Sequence, residues 1–183
     1  ANMSFSGEAQ GVRYLECDTN CGELSGWGSV ALYPRGGGVS ATWDLVLDPF
    51  DRPRLAFYQA STGDGSGDRL FYTSCNGDCL SAASWQRTPI GLPQEAGQNA
   101  DLELDAQGRP RIAYEGLLGN GLGYSWCNSG CESAAGWRHT IVESAAALQA
   151  DFPVVNPITC DPSFWTDAIP SLTLDAAGNP RIA

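Results

Sequence analysis

The residues best equipped for chemistry are six cysteines in three copies of one spacing. The stretches YLECDTNCGELSGW (14–27), YTSCNGDCLSAASW (72–85) and YSWCNSGCESAAGW (124–137) each place Tyr three residues before the first Cys. In each, three residues separate the two Cys, and Trp follows the second by six. Such a pair can hold a metal, do redox chemistry or close a turn. Structural zinc asks for four converging ligands, yet each copy supplies two Cys and His139 is the chain's one histidine. A redox pair favours two intervening residues, and nothing in redox chemistry calls for three copies. The expectation is therefore mechanical: disulfides Cys17–Cys21, Cys75–Cys79 and Cys127–Cys131. Cysteine used this way points to an oxidising compartment, and so to an extracellular, periplasmic or cell-surface location. Cys160, the odd cysteine, is expected to bond outside this sequence or to stay buried and free.

A second motif interleaves with the first. LVLDPFDRPRLAFY (45–58), LELDAQGRPRIAYE (102–115) and LTLDAAGNPRIA (172–183) align without a gap. Their Asp48, Asp105 and Asp175, with Arg54, Arg111 and Arg181, carry charges suited to acid–base work or carboxylate recognition. A catalytic centre, however, draws different residues from different elements. Charges that recur at one position are read as scaffold, joined as an ion pair. Trp27, Trp85 and Trp137 are likewise read as packing between repeats, since each ring can bury a large area.

Function is expected where the pattern breaks. The largest break is 145–168, where Phe164 and Trp165 lie near Asp161 and Asp167. Aromatic rings beside carboxylates suit a sugar platform, so these four are the candidate binding residues. GDGSGD (63–68) has two Asp spaced for calcium but lacks the further carboxylates of a dedicated loop. His139 is read as a satisfied surface or edge histidine. No phosphate loop, nucleophile elbow or zinc-protease motif occurs. No catalytic residue, metal ligand or cofactor is assigned.

Charge narrows the partners. Twenty-one acidic residues face ten basic ones, all Arg, for a net −11. Such a surface repels phosphate backbones, which disfavours nucleic acid. No apolar run reaches membrane length. Protein or glycan remains the expected ligand class.

The elements that must position these residues are short strands. With 22 Gly and 11 Pro, the chain is cut into many small elements. ADLELD alternates apolar and polar residues, AQG turns, and RPRIAYE is read as alternating again, which is a hairpin signal. A Gly-rich loop leads to a third strand ending at the first Cys, and a fourth strand starts from Trp. The Asp motif recurs at steps of 57 and 70 residues, and the Cys pair at 58 and 52. Four antiparallel strands at that period predict an all-β fold, a β-propeller of four-stranded blades. The expected divisions are a part blade at 11–35, blades at 40–92 and 100–144, an inserted loop at 145–168 and a part blade at 170–183.

The L-x-L-D-x-x-G-x-P-R-I-A-Y hairpin, with its aromatic and Trp strands, resembles the repeats of sialidase-like (BNR/Asp-box-related) propellers and of secreted bacterial repeat proteins. That resemblance implies the propeller fold and, as one reading, a glycoside hydrolase whose active residues lie outside this segment. The residues themselves favour a non-catalytic binding scaffold, secreted or on the cell surface. A third reading is an architectural subunit. About three blades' worth of strands is too little for an ordinary ring of four to eight. The sequence is thus expected to be a piece of a larger propeller, or to complete a ring with a second copy through its open strand edges.

Overall fold

A computed structural model gives the architecture, describing residues 12–32, 39–59, 69–92, 96–116, 121–144, 146–147, 150 and 169–183. Two four-stranded antiparallel meanders form its centre. One consists of β3 (Val39–Leu47), β4 (Pro53–Gln59), β5 (Arg69–Cys75) and β6 (Trp85–Pro89). The other consists of β7 (Gln98–Leu104), β8 (Pro110–Glu115), β9 (Leu122–Cys127) and β10 (Trp137–Glu143). Hairpins flank them: β1 (Arg13–Glu16) with β2 (Gly28–Ala31), and β11 (Leu172–Leu174) with β12 (Pro180–Ile182). The fold is all-β, as the sequence predicts.

Local chemistry explains the first turn of each unit. The Asp48 amide donates to the Arg52 carbonyl, and the Asp51 amide returns to the Asp48 carbonyl. That geometry needs a left-handed residue, supplied by Asp51 (φ 58°), Gly108 (φ 72°) and Gly178 (φ 81°). Pro53, Pro110 and Pro180 then open β4, β8 and β12, where a missing donor is least harmful.

The expected alternation along RPRIAYE is corrected by burial. β8 is buried at five consecutive residues, Pro110 to Tyr114, and β4 at six, Pro53 to Tyr58. Both faces of these second strands are covered. Leu55 and Phe57 join a core with Val12, Leu32 and Phe71, against the first hairpin. Ala56, between them, points into the core shared with Leu102, Ile112 and Tyr114 of the second meander. Ala113, Tyr124 and Leu172 form the corresponding core against the last hairpin. Each fully buried Leu or Ile in these layers contributes about 1.5–3 kcal/mol.

The sheets are therefore stacked in chain order, with β7 running beside both β3 and β11. β1 pairs only with β2, and β12 only with β11, among the described strands.

Candidate functional site

The staples come first, because they position most of the polar chemistry. All three disulfides are formed, with Cα–Cα separations of 5.7, 5.8 and 5.7 Å. The residue before each second Cys is left-handed: Asn20 (φ 57°), Asp78 (φ 51°) and Gly130 (φ 68°). A 3-10 turn follows (Leu24–Gly26, Ala82–Ser84, Ala134–Gly136) and delivers the Trp. Each indole Nε1 then donates to the carbonyl of the second Cys, at 3.0 Å for Trp27, 2.8 Å for Trp85 and 3.1 Å for Trp137. The six-residue spacing is the reach of that hydrogen bond.

The rings also bridge sheets, as expected. Trp85 meets Tyr14 of the preceding hairpin with centroids 5.0 Å apart, and Trp137 meets Tyr72 at 5.4 Å. Trp27, for which no ring contact to a preceding sheet is seen among the described residues, is 43% exposed against 3% for Trp137.

In the two meanders the hairpin Asp and Arg form a clamp that ties the staple to its hairpin. Asp48 Oδ1 accepts the Phe50 and Arg52 amides, while Oδ2 takes the Arg52 Nε and Arg54 Nη2 groups. Arg54 Nη1 reaches across to the Cys75 carbonyl at 2.6 Å, and Nη2 to Asn76 Oδ1 at 2.9 Å. Arg111 repeats this on Asp105, the Cys127 carbonyl and Asn128. Burial alone would raise Asp48, but the bonds from Arg52, the Phe50 amide and the Arg54 charge prevail and hold it at about 2. Asp105 is lowered likewise, its burial outweighed by the bonds from Arg109 and Gln107 and by Arg111. These donors are occupied by the protein itself, so the clamp is built for holding strands.

A second acidic set, not singled out from the sequence, lies on the first strands. Asp44 Oδ2 accepts the Leu102 amide of β7 at 2.8 Å, and Asp101 Oδ2 accepts the Leu172 amide of β11. Each carboxylate thus ties one sheet to the next. Burial, with a hydrogen bond and charge from Asp101, raises Asp44 to about 6 against the opposing Leu102 and Leu45 amides. Glu103 is also raised, by burial and then by Asp101. The signal was present as an Asp four residues before the hairpin Asp in two repeats; Ser171 replaces it in the third.

His139 lies exposed on β10, an edge strand of its sheet, with a hydrogen-bond partner. Its Nδ1 lies 2.8 Å from the Ser125 hydroxyl. Ser125 also bonds the Tyr114 side chain. Burial lowers the His139 pKa, opposed by a bond to the Ile90 backbone and assisted by Arg138. Ser125 has no exposed surface, so this serine–histidine contact cannot present a nucleophile to substrate.

Phe164, Trp165, Asp161 and Asp167 lie outside the described residues, as do Cys160 and the acidic loop 63–68. No three His, Cys, Asp or Glu side chains among the described residues are grouped to hold a metal ion. No described helix is long and apolar enough to cross a membrane. Comparisons with protein-family models, curated proteins and solved structures each find no match.

Proposed function

We propose that this chain is a segment of a secreted or cell-surface β-propeller that acts as a binding scaffold for protein or glycan and catalyses nothing. One observation carries the reading. The clamp residues recur at equivalent positions in successive sheets, and their donors and acceptors are directed at one another. Four-stranded meanders stacked through their first strands support the blade reading. Three disulfides accord with an oxidising location.

The hydrolase alternative places its active residues outside this segment; a variant of it that used this chain's own residues has one feature in its favour. A carboxyl raised to about 6, as at Asp44, is suited to donating a proton near neutral pH. Its two oxygens are nonetheless engaged by the Leu45 and Leu102 amides, which fits a strap between sheets better. Two measurements on the purified chain separate the readings: calorimetric titration with sialylated and neutral oligosaccharides, and release of a chromophore from the matching glycosides. Saturable binding without release supports the scaffold. Release that disappears in Asp44→Asn would overturn it.

A further inference from the structure

We infer that Asn76 is a site of self-modification, where the Gly77 nitrogen attacks the side-chain amide and an acid is left on the clamp. The inference does not depend on the blade reading, since it uses only the stapled turn and its arginine.

The residue after the first Cys differs among the units. It is Asp18, Asn76 or Asn128, followed by Thr19, Gly77 or Ser129. An asparagine amide is open to attack at Cγ by the backbone nitrogen of the next residue, because the two can close a succinimide ring. A side chain on that next residue crowds the closure, and glycine alone has none. Asn76 and Gly77 are both exposed, and a Cβ at Gly77 would meet nothing within 4 Å. No hydrogen bond from the Gly77 amide is seen among the described residues, so no other acceptor holds the nucleophile.

The clamp activates the other partner. Arg54 Nη2 donates to Asn76 Oδ1 at 2.9 Å, and its guanidinium is fixed by the Cys75 carbonyl and Asp48. That bond draws electron density from Cγ and stabilises the negative oxygen that forms as the nitrogen adds. The arginine side chain is 7% exposed, so water screens its charge little. Arg111 makes the same 2.9 Å bond to Asn128, and Asn128 and Ser129 are exposed as well. The two turns therefore differ at the attacking residue, Gly77 against Ser129.

Water is the only co-reactant. The Gly77 nitrogen gives its proton to solvent, the N–Cγ bond forms, and the Cγ–Nδ2 bond breaks as ammonia leaves with a proton from solvent. Water then opens the succinimide at either carbonyl, giving aspartate or its β-linked isomer. Nothing is oxidised or reduced. The clamp has room for the new charge. Arg52 and Arg54 already share Asp48, so two carboxylates would face two guanidiniums, with both partners of the Arg54 bond charged. The first unit carries an acid at this position from the start, as Asp18.

The full 183-residue chain, incubated at 37 °C and pH 8 and digested at intervals, tests this by peptide-resolved mass spectrometry. Circular dichroism confirms that the β structure persists. Peptide resolution separates Asn76 from Asn120–Gly121, the other Asn–Gly pair in the sequence. Asn76 should become aspartate and isoaspartate at least as fast as in a free, reduced peptide of residues 72–85. Asn128 in the same chain should convert at least about tenfold more slowly. Gly77→Ala should slow Asn76 by a similar factor, and the open space at Gly77 allows that variant to fold. An Asn76 that stays an amide, or converts more slowly than in the free peptide, overturns the inference, because Arg54 would then hold the amide out of reach. Equal conversion at Asn76 and Asn128 also overturns it, since the glycine would then make no difference. None of these outcomes bears on glycan binding, so the scaffold reading is decided separately.

Discussion

Asp44 and Asp48 lie four residues apart on one hairpin, and their surroundings drive them in opposite directions. Asp48 is held at about 2, since its bonds to arginine and to turn amides exceed the effect of burial. Its stabilising contribution is present above the ordinary carboxylate pKa of 3.8 and is lost as pH falls through 2. Asp44 is raised from 3.8 to about 6, so the folded state favours its protonated form. That contribution is complete below pH 3.8 and disappears as pH rises through 6. Asp44→Asn should therefore flatten the pH dependence of stability between about 4 and 6. Urea unfolding at pH 4, 5, 6 and 7 checks this. A variant whose profile parallels the native one would show that Asp44 does not titrate there. His139 is lowered by burial, so its share is present above 6.5 and is lost as pH falls through its folded value. It acts in the opposite direction to Asp44, and the Asn variant separates them.

At the scale of elements, the stapled turn carries three devices in one stretch: a disulfide, a left-handed residue and an indole bonded to a carbonyl. Trp137→Phe keeps most of the ring against Tyr72 but removes the donor to Cys131, with an expected loss of about 1 kcal/mol. Trp137→Ala empties a buried site and should cost about 3–5 kcal/mol. Equal losses in thermal or urea unfolding would mean that the ring contributes nothing beyond its hydrogen bond. Each staple closes a loop with a sequence separation of 4, worth on the order of 2 kcal/mol in chain entropy. Intact-mass measurement before and after reduction should show a gain of six hydrogens; a smaller gain would mean a staple is open.

The same elements show what the sequence discloses. The hairpins, the staples and the Trp strands were readable because three copies expose any accident of spacing. The prolines and the left-handed Asp51 fell where turn chemistry puts them. Tertiary cover was not readable. Alternation along RPRIAYE implies a one-faced strand, but a sheet on either side buries Ile112 and Ala113 alike. Asp44 and Asp101 escaped because Ser171 breaks their series, and their role depends on amides of a neighbouring sheet. The candidate ligand residues near Trp165 belong to the unrepeated segment, where there was no second copy to compare.

Across the whole molecule, recurrence should separate stability from binding. Positions shared by the units build the stack. The three hairpin arginines test this within one polypeptide, since they share a sequence context and differ in what surrounds them. Equilibrium urea unfolding of Arg54→Ala, Arg111→Ala and Arg181→Ala is the most direct measurement. The first two leave a buried carboxylate short of its partner, and each should lose about 3–5 kcal/mol. Arg181 is exposed and should lose no more than about 1 kcal/mol. Near-native stability for Arg54→Ala and Arg111→Ala would contradict the account, because arginines that hold nothing together would have to be there for something else.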